Sequence, residues 1–414
     1  MTYDERIALL FSLHRSVQTG GFSSDAYKPG LEAMARFDDV LGHPHRSYAT
    51  VHVAGTNGKG SVCSMIAAAL ASAGMRVGLY TSPHLLDFRE RMKVVTRDGW
   101  TMIPREDVLS FLDKYEDSAA GLTFFEITTG MAFSWFASQK VDAAVIETGL
   151  GGRLDSTNII IPRLSVVTSI GLDHCDLLGS TRAAIAAEKA GIFKPGVPAL
   201  VWGRDPETQP VFEDIASQQG SPLHYAEDLA SVPEPLPQEA HAAVNYLTDA
   251  ASLQLLGVPL PSPDPLLHAA SLTGLRARWE ILRSSPLTIC DIGHNPPAIS
   301  CNVARLQALR QAGNGTPRPL IVVYGAMADK DVSSISHLLP PDATYILTAP
   351  ATPRAMDVNT LALKLKHLRF RKSRSVADAV RKAFRLAAGL PDPIIYIGGS
   401  TYVASEAISY IESI

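Results

Sequence analysis

This 414-residue sequence has few cysteines, no long apolar run and no large excess of either charge. The four cysteines lie far apart and form no CxxC pair, which argues against a disulfide framework and a zinc knuckle. No run reaches the roughly 18 apolar residues of a membrane span and no export signal is visible, so we expect a cytoplasmic protein with no membrane partner. Because 37 Lys and Arg are balanced by 41 Asp and Glu, we also expect no nucleic-acid partner.

The patterning of the chain is that of a two-domain α/β protein. Short β-branched runs alternate with Ala- and Leu-rich segments, as in a mostly parallel sheet with crossover helices. The predicted strands are 50–55, 77–81, 141–148, 164–170, 198–202, 278–282, 286–292, 319–325, 344–349 and 393–399. The predicted helices include 61–73, 104–116, 124–139, 180–190 and 239–256. Proline-rich stretches at 226–238 and 257–265 separate the two strand series, which places the domain boundary between 226 and 275.

The strongest local signal is VAGTNGKGS at 53–61, between a predicted strand and a predicted helix. Glycines let successive N–H groups point into one concavity at a helix N-terminus, where an anion is favoured. Lys59 adds a positive charge, and Ser61 adds a hydroxyl suited to Mg²⁺. The standard P-loop pattern GxxxxGK[ST] does not match, because Gly60 separates these two residues. We predict a phosphate site; the alternative is a plain glycine-rich turn.

Two further motifs follow predicted strands at the same sheet edge, where open α/β sheets bind ligands. IETGLGGRLDSTN places Glu147 at the end of a buried strand, where a carboxylate either binds a metal or caps backbone amides. SIGLDHCDLLG places His174 after the next strand, as a functional or merely solvated histidine. Glu188 and Lys189 are adjacent on a predicted helix, so their side chains cannot face each other as an i,i+4 pair would. For both residues, a place among the charged side chains of the surface is the alternative to a functional role.

The second half of the chain contributes Arg278, at the start of one predicted strand, and Asp291, at the end of another. A planar guanidinium suits phosphate oxygens because it donates two parallel hydrogen bonds. Asp291 and the following His294 suit a ligand edge, but an Asx-type turn before Pro296 would explain them equally well.

Candidate substrate contacts lie on two loops and one helix start. TSPHLLDFRERM follows the second predicted strand and offers Ser82 and Pro83. Arg153 and Asp155 lie on the glycine-rich loop and could reach a substrate. Phe125 could stack on a flat heterocycle, or it could simply pack on the core.

In sequence order, these motifs resemble those of the folylpolyglutamate synthase and dihydrofolate synthase family, within the ATP-dependent Mur ligase superfamily. The resemblance is carried by HVAGTNGKGS, TSPHLLDFRERM, GLGGRLDSTN, DH followed by LG at 173–179, EKAGIFKPG and DIGHNP. It implies an N-terminal P-loop-type ATPase domain over 1–270 and a smaller Rossmann-like ligase domain over 271–414. We expect the protein to be a monomer.

The resemblance also implies the reaction and its participants. ATP would activate a carboxylate of dihydropteroate or a reduced folate as an acyl phosphate, and the amine of L-glutamate would displace phosphate to form an amide. Two Mg²⁺ ions and a carbamylated Lys189 are implied as cofactors. The sequence does not decide between dihydropteroate and folate as the acceptor.

The residue roles implied by the resemblance fall into four sets. The catalytic set is Lys59, His174 and Lys189. The nucleotide set is Thr56, Asn57, Gly58, Lys59, Gly60, Ser61, Asn245, Arg278, Asp291 and His294. The metal set is Ser61, Glu147, His174 and Lys189. The substrate set is Thr81, Ser82, Pro83, Phe125 and Asp155, to which the loop position adds Arg153.

Three departures from the family pattern stand out. Ala277 precedes Arg278 where the family usually has glycine, which affects how closely the backbone can approach a ligand. Ala242 stands where a glutamine commonly precedes the adenine-reading Asn245. The segment between Tyr225 and His241 is shorter than usual.

Three other functions compete with this interpretation. A peptidoglycan-type Mur ligase, or one acting on another carboxylate, would share the phosphate loop, but the former needs an extra domain of about 80 to 100 residues and only about 50 precede the loop. A P-loop kinase or GTPase is disfavoured by the interrupted loop and the second domain. A nucleotide-gated binding module without catalysis is disfavoured by the implied metal set.

Overall fold

The computed structural model describes residues 1–16, 30–230, 240–260, 264–311 and 317–414. They form two compact units, Met1–Leu275 and Arg276–Ile414. The expected domain division after residue 270 falls inside the short helix Ala269–Thr273. Within the described ranges, no helix is both long enough and apolar enough to span a membrane.

The N-terminal unit is built on one sheet of eight strands. The strands are β1 (Ala49–Ala54), β2 (Val77–Tyr80), β3 (Met92–Thr96), β4 (Gly99–Met102), β5 (Ala143–Glu147), β6 (Leu164–Val167), β7 (Ala199–Val201) and β8 (Leu223–Tyr225). Their order in the sheet is β4-β3-β2-β5-β1-β6-β7-β8. Only the pairs β2/β3 and β3/β4 are antiparallel, so the loops after β1, β5 and β6 leave from one edge.

Helices cover both faces of this sheet. The α-helices are α1 (Tyr3–Leu13), α2 (Glu32–Leu41), α3 (Lys59–Ser72), α4 (Arg105–Lys114), α5 (Phe124–Ser138), α6 (Cys175–Leu178), α7 (Arg182–Ala190), α8 (Gln209–Gln219), α9 (Ala226–Leu229), α10 (Ala240–Leu256) and α11 (Ala269–Thr273). Short 3₁₀ turns lie at Pro44–Ser47, Phe88–Arg91, Asp117–Ala119, Ser156–Ile159 and Pro265–His268. Helix α3 is almost wholly buried, because the sheet covers one side and α10 and α11 pack on the other.

The C-terminal unit repeats this architecture on a smaller scale. Its strands are β9 (Glu280–Ser284), β10 (Leu287–Cys290), β11 (Leu320–Tyr324), β12 (Thr344–Leu347), β13 (Phe370–Lys372) and β14 (Ile394–Gly398). Its helices are α12 (Pro296–Gln311), α13 (Ser333–Ser336), α14 (Val358–Lys364), α15 (Val376–Ala387) and α16 (Thr401–Glu412). The sheet order is β13-β12-β11-β14-β10-β9, parallel except for the edge strand β9.

The predicted fold class, α/β with a mostly parallel sheet and a second, smaller α/β domain, is confirmed. All ten predicted strands form; nine of them are buried, mostly apolar runs, whereas β9 is a largely exposed edge strand. The pattern missed β3 and β4, a hairpin in which β4 is largely exposed, and the three-residue strands β8 and β13. Most of the proline-rich stretch 226–238 lies outside the described residues.

Candidate active site

The phosphate loop, residues 55–58, joins β1 to α3. Gly55 has a φ of 150°, and a Cβ there would lie 1.7 Å from Oγ1 of Thr168. Gly58 caps α3 with a φ of 88°, and a Cβ there would lie 2.6 Å from Oδ1 of Asn245. Both positions need glycine because other residues are strained at positive φ and the added atom has no space. The loop therefore brings the N-terminus of a 14-residue helix to the edge of the sheet.

Hydrogen bonds hold the phosphate loop against the loop that follows β6. The Thr56 amide donates to the Ser169 carbonyl at 2.8 Å, and the Thr168 hydroxyl donates to the Asn57 carbonyl at 2.7 Å. Lys59 Nζ donates to the carbonyls of Gly55 and Thr56 at 3.0 and 3.3 Å. The Lys59 ammonium therefore lies over the loop that the sequence predicts to bind phosphate. Gly60 is buried and Ser61 is partly exposed, both in the first turn of α3.

Asn245, predicted to read adenine, lies beside this loop although it is far away in sequence. Helix α10 packs on α3, and this packing brings the Asn245 amide into contact with Gly58. Ala242, one turn earlier on α10, has only a methyl group, so no side-chain amide is available there. The structure thus joins Asn245 to the phosphate loop.

Glu147 ends β5 and is only 3% exposed. It is paired in register with Val53 of β1, and its Oε2 accepts a hydrogen bond of 2.8 Å from the Ser82 amide. Thr81 and Pro83 flank Ser82, and the Ser82–Pro83 bond is cis. A buried carboxylate therefore joins the predicted substrate loop to the strand that neighbours the phosphate loop.

Lys189, in the last turn of α7, reaches the same place. Its Nζ is buried and donates to the Gly55 carbonyl at 2.8 Å. Burial, and then the nearby Lys59 ammonium, lower the pKa of the Lys189 amine well below its usual range. The surface-pair alternative is therefore wrong for Lys189. It does hold for Glu188, whose carboxylate accepts a 2.7 Å bond from the exposed Arg153 guanidinium.

His174 is the N-cap of α6, in a left-handed conformation with a φ of 53°, and its amide donates to the Asp173 carboxylate at 3.0 Å. Over the described ranges, no group of three His, Cys, Asp or Glu side chains is arranged to hold a metal. A metal at this edge would therefore need donors in addition to the Glu147 carboxylate and the His174 imidazole.

Asp155 is buried, and its carboxylate is used by its own loop. Oδ2 accepts from the amides of Gly149 and Leu150, each at 2.8 Å. Oδ1 accepts from the Thr157 amide at 3.1 Å and from the Thr157 hydroxyl at 2.5 Å. Burial raises the pKa of this carboxyl despite these four donors. In this geometry Asp155 shapes the loop, and the exposed Arg153 points to the half-buried Glu188.

Phe125 lies in the first turn of α5, its ring 5.8 Å from that of Tyr80. A Cβ on Gly149 would lie 2.5 Å from the Phe125 ring, so this ring lies against the loop that follows β5. The aromatic surface is therefore beside the Glu147 edge. It also packs on the core, as the second interpretation predicted.

In the C-terminal unit, Arg278 lies on a turn before β9, which begins at Glu280 rather than at the predicted residue 278. The neighbours of Arg278 explain this shift, since Ala277 and Trp279 have φ values of 54° and 52°, which no strand residue adopts. Asp291 directly follows β10, and the His294 Nδ1 lies 3.1 Å from the Ile292 carbonyl.

Comparison with known proteins agrees with this geometry. The family model described as Mur ligase middle domain matches residues 53–231, and the one described as Mur ligase, glutamate ligase domain matches 277–401. The folylpolyglutamate synthase of Lacticaseibacillus casei is 31% identical over 98% of this chain and 97% of its own length. The chain belongs to the folylpolyglutamate synthase and dihydrofolate synthase family of Mur ligases.

Solved structures agree at the level of the whole fold. Escherichia coli FolC in complex with DHPP and ADP has a TM-score of 0.85 at 28% identity, covering 100% of this chain and 98% of that one. A bifunctional folylpolyglutamate synthase/dihydrofolate synthase with Mn, AMPPNP and L-glutamate bound has a TM-score of 0.82 at 27% identity, covering 100% and 98%. The chain is thus an ATP-dependent ligase that forms amide bonds, as the motifs predicted.

The structure of this Mur ligase also gives a place to residues for which the sequence predicted no role. His52, in the middle of β1, is fully buried, and its Nε2 lies 2.8 Å from the Thr157 hydroxyl. Burial lowers the pKa of His52 to about 3, so the ring is neutral. Because the hydroxyl donates to Asp155, the ring N–H donates to the hydroxyl. A polar residue inside the apolar run TVHVAG was the signal that could have revealed this chain of hydrogen bonds.

The loop that the sequence predicts to contact substrate is held by two residues of FRERM. The Glu90 carboxylate accepts from the amides of Leu85, Leu86 and Asp87 at 2.7 to 2.9 Å. Arg91 Nε donates to His84 Nδ1 at 2.9 Å. Burial, and then the Arg91 charge, lower the pKa of His84 to about 3. The spacing of the motif did not reveal these contacts, because they depend on how the loop folds back.

Proposed function

We propose that this ligase joins L-glutamate to the carboxylate of dihydropteroate, of a reduced folate, or of both, with ATP as the energy source. The observation that carries this proposal is the convergence of the phosphate loop, Glu147 and Lys189 at one sheet edge. Relatives over the full length are folylpolyglutamate synthases, and related structures hold DHPP and L-glutamate.

The reaction has two balanced steps. A carboxylate oxygen attacks the γ-phosphorus of ATP, the bond to ADP breaks, and an acyl phosphate forms. The glutamate nitrogen then attacks the acyl carbon, phosphate leaves with the C–O bonding electrons, and the nitrogen loses a proton to give the amide. The protein has to bring three anionic substrates together, so positive groups and helix dipoles must offset the charge locally.

The phosphate loop supplies most of the proposed nucleotide contacts. Its amides at the N-terminus of α3 suit phosphate oxygens, and the Lys59 ammonium lies over the same loop. Asn245 contacts Gly58 and would meet the nucleotide on the far side of the loop. The proposed set in this unit is Thr56, Asn57, Gly58, Lys59, Gly60, Ser61 and Asn245. The C-terminal unit would add Arg278, Asp291 and His294.

The residues at this edge fit a divalent metal. Mg²⁺ prefers hard oxygen ligands, and the Glu147 carboxylate and Ser61 hydroxyl supply them beside the phosphate loop. When bound, the metal would neutralise phosphate charge during transfer. Related structures hold Mn with AMPPNP, which supports a divalent metal with ATP. We propose two ions, the second served by His174 and a modified Lys189.

The proposal for Lys189 is that its amine carries a carbamate. The amine is buried and lies close to the Lys59 ammonium, so a second ammonium there is unfavourable. Addition of carbon dioxide to the neutral amine, with loss of one proton from the nitrogen, gives an anionic carbamate that presents two oxygens. A carbamate would therefore suit both the Lys59 ammonium and a hard cation. Lys59, His174 and Lys189 form the proposed catalytic set.

The proposed acceptor pocket lies along the loops after β2 and β5. Ser82 and Glu147 are joined by a hydrogen bond, and Phe125 offers a ring beside Gly149. Among the substrate candidates, Asp155 and Arg153 already have partners within the protein, so we propose that they shape this wall. The proposed set is Thr81, Ser82, Pro83, Phe125, Arg153 and Asp155.

Phosphate release from ATP, measured with dihydropteroate plus glutamate and with a reduced folate plus glutamate, tests this function. We expect release that depends on glutamate and on the acceptor, and a product heavier by one glutamate residue in mass analysis. Release with neither acceptor, but with another carboxylate plus an amino acid, would support a different Mur-type ligase and overturn the proposal.

Lys189→Ala tests the carbamate. We expect turnover to fall by about 10²- to 10³-fold, the usual loss when one preorganised charged contact is removed. Excess acetate or formate should partly restore it by supplying oxygens. Lys194→Ala is the matched control, because Lys194 also donates to a backbone carbonyl, that of Asn158, and should not respond to acetate. Full activity of Lys189→Ala would contradict the proposal.

A further inference from the structure

His52 is a fully buried polar residue in the middle of β1, between Val51 and Val53. Because its ring is neutral, it has one donor and one acceptor nitrogen. Its Nε2 lies 2.8 Å from the Thr157 hydroxyl, whereas its Nδ1 has no hydrogen-bond partner among the described residues. An apolar side chain would avoid the cost of this unpaired atom, so stability alone does not account for a histidine at this position.

The Thr157 hydroxyl connects His52 to the Asp155 carboxylate. The hydroxyl donates to Asp155 Oδ1 at 2.5 Å and accepts the ring N–H, which polarises it and strengthens its bond to the carboxylate. Asp155 Oδ2 in turn accepts from the amides of Gly149 and Leu150, each at 2.8 Å. A chain of hydrogen bonds therefore runs from β1 to the loop that follows β5.

Buried hydroxyls tie the same loop to the start of α5. The Tyr80 hydroxyl lies 3.0 and 3.2 Å from the hydroxyls of Thr128 and Thr129. The Thr129 hydroxyl lies 3.1 Å from that of Ser156, and the Thr128 hydroxyl donates to the Phe125 carbonyl at 3.1 Å. Buried polar groups that are satisfied in this way hold one conformation. The two walls of the proposed acceptor pocket thus have a common polar support.

We propose that His52 is a positioning residue for the acceptor: through Thr157 it holds Asp155 and the loop that follows β5, which forms one wall of the proposed acceptor pocket. Asp155 keeps its place in the proposed substrate set. Strand β1 pairs with β5 at His52 and Ile146, and it leads directly into the phosphate loop. The chain of hydrogen bonds therefore fixes the acceptor wall relative to the strand that carries the phosphate loop. This inference rests on the proposed acceptor pocket.

Two amide substitutions in the full-length enzyme test the role of the ring Nε2. His52→Gln places an amide nitrogen close to the position of Nε2, whereas His52→Asn places one close to the position of Nδ1 and cannot reach Thr157. We expect His52→Asn to raise the Michaelis constant for the acceptor about 10-fold, the order expected when a hydrogen bond that supports a charged group is lost. The constant for ATP should stay nearly unchanged, and His52→Gln should resemble the wild type. Equal acceptor constants in the two variants would overturn the proposal.

A double-mutant cycle tests whether His52 acts through Thr157. Thr157→Val removes the hydroxyl and should raise the acceptor constant at least as much as His52→Asn, whereas Thr157→Ser keeps the hydroxyl and should resemble the wild type. Because both residues act through one hydroxyl, the double variant should be no worse than Thr157→Val alone. A double variant whose effect is the product of the two single effects would show that His52 acts independently and would refute the proposal.

Thr273→Val is the matched control for Thr157→Val. The Thr273 hydroxyl is also fully buried, and it donates to the Ala269 carbonyl at 2.7 Å, within α11 and its preceding turn. This variant loses a buried hydroxyl of the same kind, so it should lose a similar amount of stability but keep the acceptor constant of the wild type. An equal rise of the acceptor constant in both Val variants would show a general loss of stability and would count against the proposal.

Hydrogen exchange gives a readout that does not depend on activity. The amides of Gly149 and Leu150 donate to Asp155, so His52→Asn should speed their exchange, whereas His52→Gln should not. The three amides that donate to Glu90 are the internal control and should exchange as in the wild type. Unchanged exchange of the first two amides in His52→Asn would contradict the proposal.

Two outcomes separate this proposal from the proposed function. If exchange does not rise in His52→Asn while the wild type joins glutamate to either acceptor, this proposal fails and the proposed function stands. If exchange rises but the acceptor constant is unchanged, the acceptor pocket has been assigned to the wrong loop, and the action of His52 on the acceptor is refuted with it. If His52→Asn does not fold, Thr157→Val and Thr157→Ser carry the test, and equal acceptor constants in that pair would overturn the proposal.

Discussion

The two units present their proposed nucleotide contacts on backbone turns that are built in opposite ways. The N-terminal unit places glycine at positive φ, with values of 150° at Gly55 and 88° at Gly58. The C-terminal unit places Ala277 and Trp279 in the left-handed region and holds them with carboxylates. The first turn is therefore stabilised by its own glycine residues, whereas the second turn must be stabilised by tertiary hydrogen bonds.

One carboxylate from each unit shows a second difference, in hydrogen bonding. Asp291 accepts three hydrogen bonds from its own unit. Asp249, on α10 one turn after Asn245, is fully buried, and neither of its oxygens has a hydrogen-bond partner among the described residues. Asp291 is therefore part of a hydrogen-bond network, whereas the burial of Asp249 lowers the stability of the folded protein.

Gly55→Ala should have the largest effect, because it places a Cβ 1.7 Å from Thr168 Oγ1 at a φ of 150°. Overpacking and backbone strain together should lower the free energy of unfolding by about 3 to 5 kcal/mol. Urea unfolding and phosphate release measure this. Gly196→Ala is the control, since Gly196 has a φ of 71° with nothing near the added atom, and should cost only about 1 to 2 kcal/mol. Equal losses in the two variants would contradict our account of the first turn.

Lys59→Ala should slow turnover by about 10²- to 10³-fold and leave the fold intact, because it removes one charged contact to the transferring group. Turnover at saturating substrate concentrations measures the loss of activity, and a far-ultraviolet circular dichroism spectrum measures whether the fold is intact. Lys366→Ala, at an exposed position, is the control and should behave as wild type. Wild-type turnover in a folded Lys59→Ala protein would contradict the role given to the phosphate loop.

Asp249→Ala should stabilise the protein at pH 8 by about 1 to 3 kcal/mol, because it removes a buried carboxyl without a described partner. Burial raises the pKa of Asp249 well above its usual range, so the folded state binds more protons than the unfolded state above about pH 4. The wild type should therefore lose stability as pH rises, by up to about 1.4 kcal/mol per pH unit, relative to the variant. Urea unfolding of both proteins from pH 5 to pH 8 measures this difference. If the unfolding free energies of the wild type and the variant changed in parallel with pH, the prediction would be wrong.

Ala277→Gly should have the smallest effect, because relief of left-handed strain is offset by the backbone entropy of glycine. We expect a change in unfolding free energy within about 1 kcal/mol, on the stabilising side, and an unchanged Michaelis constant for ATP. Ala277→Val sharpens the comparison, since a β-branched residue tolerates this conformation less well and should clearly destabilise. Loss of stability in Ala277→Gly comparable to that in Ala277→Val would show that strain is not what distinguishes the second turn.

The sequence predicted ten of the described strands and the glycine-rich turn between β1 and α3, because these features depend on local properties. Buried β-branched runs identify strands, and a glycine-rich turn before an Ala-rich helix identifies the loop. The predicted start of β9 was wrong by two residues, because no local sequence pattern indicates that Ala277 and Trp279 adopt positive φ. Hydrogen bonds that the Ala277 and Trp279 amides donate to the carboxylates of Glu280 and Asp291 impose that conformation.

By itself, the sequence determined the fold class, the ordered motifs and the family to which the chain belongs. Only the tertiary structure decided which polar groups meet, as Asn245 meets Gly58, Lys189 meets Gly55, and Lys93 donates to the carbonyls of Thr273 and Gly274 at 2.9 Å. The reason is physical. The backbone preference and burial pattern of a segment depend on residues that are neighbours in sequence. The partner of a buried polar group depends on how elements that are distant in sequence pack together.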